Sequence, residues 1–181
     1  MSNLIVRKYG LGNMLDLTVP TAVLGGAPET YSGYGTPPKL GDIMDVVDDS
    51  KATVTRYMYV QDGGSGMTAY GTYVISFSGT SGSEVKTGSV ASLAVYQQVC
   101  IPQVAFTASY YGWVVIRGAC KCACVGNVTA NYFQEALNGT ATVGTNSATL
   151  TTASVFIPTA TNSGGAATNA GYMIGNRIII A

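Results

Sequence analysis

The chain has 181 residues, enough for a domain that buries roughly two-thirds of the surface its unfolded form exposes. Only 10% of it is charged, nine acids balance nine bases, and 47% is hydrophobic, against a usual charged share of about 25%. That balance excludes a disordered chain, which needs low hydrophobicity or high net charge.

The same composition bears on partners. In the last hundred residues the positive ones are Lys86, Arg117, Lys121 and Arg177. They are scattered, so no basic patch for nucleic acid is expected. No apolar run approaches the roughly 18 residues of a membrane helix, and the start "MSNLIVRKYG" lacks a charged n-region followed by an apolar core, so neither a membrane partner nor secretion is expected. Histidine is absent, which removes the commonest general base and metal ligand. The sequence therefore points away from an enzyme and assigns no catalytic, cofactor-binding or metal-binding residue. Low charge with zero net gives little colloidal repulsion, so a self-associating assembly subunit is the expected class.

In chain order, residues 1–37 carry Pro20, Pro28 and Pro37 among several glycines, without helical or alternating period. They read as an extended N-terminal arm. Gly10 and Gly12 form a G-x-G, but no third glycine follows at the dinucleotide spacing. From Leu40 the texture becomes short runs of β-branched and aromatic residues between turn residues, an antiparallel β signature. The domain organisation expected is an arm over 1–37 and a β-rich domain over 38–181, with a Thr/Ser/Ala-rich strand region from about 139 as a possible separate part. The fold class expected is mainly β: an antiparallel β-sandwich or β-barrel-like domain with that arm and little helix.

The acidic stretch Asp42, Asp45, Asp48 and Asp49 lacks the order of a calcium loop and reads as a strand end and turn. "TVTRYMYV" (53–60) and "GTYVISFS" (71–78) flank Asp62, Gly63, Gly64 and Gly66, which predicts a β-hairpin. Further strands are predicted over 90–97, 111–117, 119–125, 147–157 and 172–181, and about two turns of helix over 130–137. The Thr/Ser/Ala-rich segments near the end share a texture without a fixed period. Neither "GGSGM" nor "GTSGS" completes a nucleophile elbow, and the sequons at Asn127 and Asn138 matter only in a secretory pathway.

"GACKCACVG" (118–126) places Cys120, Cys122 and Cys124 at alternate positions. On a strand such neighbours lie roughly 6.6 Å apart, too far for a disulfide and poorly converged for zinc. Carried upstream, their register joins Val114 and Ile116, away from Trp113, Arg117 and Lys121, so the reading is small apolar packing. Metal binding, or a bridge from one of them to Cys100, stays open as an alternative. The many tyrosines, among them Tyr57, Tyr59, Tyr70, Tyr73, Tyr96, Tyr110, Tyr111 and Tyr132 with Trp113, suit a β core, subunit interfaces or a carbohydrate platform.

The Gly41-Asp42 strand entry, the strand around Tyr57–Val60, and the Tyr-Gly-Trp-Val-x-Ile-x-Gly run at Tyr111–Gly118 leading to "EALNG" resemble one known class. It is the small β-rich structural proteins of tailed bacteriophages, particularly head decoration or capsid cement proteins. The resemblance covers residues 38–145 and leaves the arm and the tail region unaccounted for. It implies a non-enzymatic virion protein, made in the host cytoplasm and sited on the capsid surface. Its partners would be the major capsid protein and copies of itself, a trimer being favoured. In that role the arm would drape over neighbouring subunits, and several modest contacts on one lattice would add up through effective concentration. A tail or fibre component and a carbohydrate-binding β-sandwich module are the competing readings.

Overall fold

A computed structural model describes residues 4–7, 20, 22, 38–48, 52–78, 84–89, 98–137, 141–151 and 154–175. They form β1 (Leu4–Arg7), β2 (Ile43–Asp48), β3 (Thr53–Asp62), β4 (Tyr73–Ser78), β5 (Glu84–Ser89), β6 (Gln98–Pro102), β7 (Tyr111–Cys124), β8 (Phe133–Ala136), β9 (Val143–Ser147), β10 (Ser154–Pro158) and β11 (Ala167–Met173). No helix occurs among the described residues. The chain is mainly β and barrel-like, with β1 and β2 as outer strands.

Two closed rings of strands account for the topology. The first runs β3-β5-β4-β6-β7 and returns to β3; the second runs β7-β11-β10-β8-β9 and returns to β7. Closure removes the exposed edges that make open sheets associate. The long strand β7 belongs to both. Its first part pairs with β3 from Gln61↔Tyr111 to Arg56↔Arg117, and its second part pairs with β11 from Gly118↔Met173 to Cys124↔Ala167.

The rings have the same connectivity. β3, β4, β5, β6 and the first part of β7 correspond in order to the second part of β7, β8, β9, β10 and β11. In each ring the first and third of these strands pair parallel, β3 with β5 and β7 with β9, and the other pairings are antiparallel. The chain is thus two copies of one unit overlapping on a shared strand.

A local sequence repeat accompanies the duplication. Met67, Phe106 and Val128 are each followed by Thr-Ala, and the residue three places on, Tyr70, Ser109 or Asn131, has φ of 66°, 64° or 64°. The next N–H then donates to the threonine carbonyl: Gly71 to Thr68 at 3.2 Å, Tyr110 to Thr107 at 3.0 Å and Tyr132 to Thr129 at 3.2 Å. The fourth copy is Asn162-Ser163-Gly164-Gly165, where Gly165 takes φ 88°. The four turns meet in pairs, Met67 bridging Phe106 and Val128 bridging Asn162. Within each pair a side chain from one loop captures an N–H of the other: Ser109 N–H donates to Asp62 Oδ2 at 3.0 Å, and Gly165 N–H to Asn127 Oδ1 at 3.3 Å. Only the fourth copy falls within the Thr/Ser/Ala-rich segments near the end, and the repeat is too short and too unevenly spaced to read as a period.

Several expectations change. The predicted hairpin between 53–60 and 71–78 does not form, because β3 and β4 are not paired and β5 lies between them. The connecting loop is held open instead. Asp62, 3% exposed, accepts N–H bonds from Gly64 at 2.8 Å and Gly66 at 2.9 Å besides that from Ser109, and Met67 is tied to Phe106. The predicted helix over 130–137 is strand β8, with Gln134 and Ala136 buried and Phe133 and Glu135 less so, a period of two. The positive φ of Asn131 also interrupts any helical run. The stretches 111–117 and 119–125 are one strand, and 147–157 divides into the end of β9 and β10. The predicted strand at 90–97, the part of 172–181 beyond Gly175, Gly10, Gly12 and Asp49 lie outside the described residues.

Candidate binding groove beside the shared strand

The bend in β7 positions everything near it. The β3–β7 ladder slips by one residue between Arg56↔Arg117 and Tyr57↔Val115, leaving Ile116 unopposed, and Gly118 follows with φ 100°. A bulge of one residue transfers every later side chain to the other face. This corrects the register read from the sequence. Cys122 and Cys124 pack with Val115, Phe156 and Met173, and Cys120 packs against that cluster. Val114 and Ile116 instead fill the first ring with Met58, Val60 and Cys100.

All four cysteines are free thiols. Cys100 and Cys122 are fully buried. Burial pushes the Cys100 thiol far up and the Cys120 thiol up to about 12. For Cys122 the adjoining Cys124 thiol and burial together push the value well up. Weak sulfur contacts satisfy the pair: Thr72 Oγ1 lies 3.7 Å from Cys122 Sγ, and Cys124 Sγ donates to the Cys122 carbonyl at 3.6 Å. Cys100, Cys120 and Cys122 are thus packing groups with too little thiolate to act as nucleophiles, whereas the bond from Cys122 holds the buried Cys124 thiol below its ordinary value.

The acidic stretch is dispersed. Asp42 Oδ2 accepts the Lys39 N–H at 3.0 Å, and Asp45 takes a two-pronged bond from Arg56, Nε at 2.7 Å and Nη2 at 2.8 Å. The Arg56 guanidinium holds the Asp45 carboxyl below its ordinary 3.8. Among the described residues, no three of His, Cys, Asp and Glu converge as metal ligands.

What the fold does assemble is a groove of about 490 Å³ between β2 and β3 on one side and the second ring on the other. Alternation along β2 and β3 sends Val46, Asp48, Thr53, Thr55 and Tyr57 to one face, which forms one wall. Ala119, Cys120 and Lys121 of β7 with Ala170, Gly171 and Tyr172 of β11 form the other, and Tyr70, Gln103 and Thr159 complete the lining. Gly171 is obligatory there, since a Cβ would strike the Ile157 carbonyl oxygen and come within 2.5 Å of the Phe156 ring.

The groove is fixed by its own bonds. The Gln103 amide behaves as a one-residue strand, accepting the Lys121 N–H at 3.0 Å and donating to the Lys121 carbonyl at 3.1 Å. The Thr55 hydroxyl donates to the Ala119 carbonyl at 3.0 Å, and Lys121 Nζ stands 5.7 Å from the centre of the Tyr70 ring. Burial, then the neighbouring Cys120, push the Tyr57 hydroxyl up, so it remains a neutral donor.

Of the aromatic residues singled out from sequence, the structure brings Tyr57 and Tyr70 into the groove. Tyr59 meets Trp113 in a tilted contact, 5.2 Å between ring centres and 58° between planes, and the Tyr73 hydroxyl at the start of β4 accepts the Thr68 N–H at 2.8 Å. Tyr132 is exposed and is not part of the groove lining, and Tyr96 lies outside the described residues. Sequence reading did not single out Tyr172, which is 42% exposed at the rim. Its alternation with Met173 was visible, but nothing in sequence placed β11 opposite β2 and β3. No protein-family model, curated protein or solved structure matches this chain.

Proposed function

We propose that this protein is a structural virion component of the head decoration type. It binds the outer surface of a phage head and bridges neighbouring major capsid subunits, itself assembled as a homo-oligomer, a trimer being favoured. The observation that supports this reading best is β1. Leu4–Arg7 adds antiparallel to the edge of β2 through four registered pairs, Leu4↔Asp48 to Arg7↔Asp45. Residues 8–42 separate β1 from β2 in the chain. A short strand so distant in sequence from its partner is a main-chain fastening that can serve within one subunit or across to another.

Two further features agree. The surface carries little charge, and Ile43, Val54 and Phe77 stand about half exposed, as suits burial against other subunits. The test is cosedimentation of purified chain with expanded capsids, together with electron microscopy of labelled protein on native particles. Label on the head and saturable cosedimentation support the reading. Removal of residues 1–37 then weakens capsid binding while the β domain still folds. Label on the tail replaces this reading with a fibre component, and no particle association refutes both.

A further inference from the structure

We propose that the groove beside β7 is a binding site for a neutral oligosaccharide. The proposal does not depend on which particle the chain assembles with. At about 490 Å³ the groove has the size of ordinary ligand sites, which span roughly 300–1,000 Å³.

Its chemistry selects among ligands. The charged residues lining it are Asp48 and Lys121, one acid and one base, so it offers no net pull on a phosphate or other polyanion. Tyr57, Tyr70 and Tyr172 present aromatic surface, while the lining adds hydroxyls from Thr53, Thr55 and Thr159. A sugar ring has matching parts, with apolar C–H faces for the aromatic surface and hydroxyls for the polar groups.

An extended peptide fits less well. Strand addition needs a free N–H and C=O row, and at Lys121 the Gln103 amide already occupies both groups on the edge of β7. The Ala119 carbonyl on the same strand is taken by Thr55. Because the walls are strands rather than loops, the site is formed in advance and little ordering cost falls on binding.

The experiment is isothermal titration of the full chain with neutral tri- to hexasaccharides of the chito-, cello-, malto- and manno- series. At least one series is expected to bind saturably, at millimolar affinity or tighter. Tyr172→Ala is expected to weaken that binding about tenfold, with an unchanged melting temperature. Tyr132→Ala, an equally exposed tyrosine outside the groove, leaves affinity unchanged. If Tyr172→Ala fails to fold, Lys121→Gln on the exposed wall serves instead and must also change affinity. Failure of every series to bind at about 20 mM, or equal losses in the groove and control variants, overturns the site.

Discussion

Replacement of Gly118 by alanine probes the bend on which both rings depend. Gly118 has φ 100°, a region that costs an L-residue roughly 1–2 kcal/mol. A Cβ would also collide with the Val54 carbonyl oxygen and lie 2.8 Å from Thr55 Cα. Both atoms are main chain in β3, so neither can swing aside, and overpacking of this kind costs about 1–3 kcal/mol. The combined expectation is a loss of roughly 2–5 kcal/mol, or a melting point lower by about 4–20 °C for a chain of this size. Gly126→Ala is the internal control. Its φ is 69°, yet nothing lies within 4 Å of the added methyl, so only the backbone cost of about 1 kcal/mol applies. Calorimetry and urea denaturation of the two variants measure the difference. A Gly118→Ala protein within about 0.5 kcal/mol of wild type, or no worse than Gly126→Ala, would refute a β7 bent against β3.

Other expectations follow from single side chains. Asp62→Ala removes the buried acceptor shared by the Gly64, Gly66 and Ser109 N–H groups, and urea denaturation should register a loss of about 1.5–3 kcal/mol. The Asp45 carboxyl is lowered by Arg56, so its contribution is present above the ordinary 3.8 and is lost as pH falls through the lower folded value. Acid titration of stability should therefore be flatter below about pH 4 in Asp45→Asn. The effect is under about 1 kcal/mol because the pair is partly exposed, and it shrinks further in salt. The raised thiols of Cys100, Cys120 and Cys122 act at the other extreme. Stability they contribute is complete below the ordinary thiol value of 9.0 and declines as pH rises through the folded values, while Cys→Ala variants decline less. A thiol reagent at pH 8 should find four thiols in denaturant but react far more slowly with native protein, and rapid native labelling of Cys100 or Cys122 contradicts their burial.

Sequence by itself determined the class of the molecule. Sparse charge, β-branched and aromatic runs and turn residues required a packed β protein, and the alternation of Cys120, Cys122 and Cys124 required that they share a face. Both rest on short-range physics, a side-chain period of two and local turn geometry, which one chain carries within a few residues.

Tertiary structure decided which face and which partners. The bulge at Ile116 with the bend at Gly118 turned the cysteines from the company of Val114 to that of Val115, Phe156 and Met173. A one-residue slip leaves no mark in composition or period, because it arises from pairing with a distant strand. Strand order is non-local for the same reason: β5 separates β3 from β4, and β7 serves two rings. The groove shows both levels at once. Its tyrosines and threonines were legible as residues, but their meeting required β2 and β3 to face β7 and β11, an arrangement set by pairing between distant strands and not by any local preference.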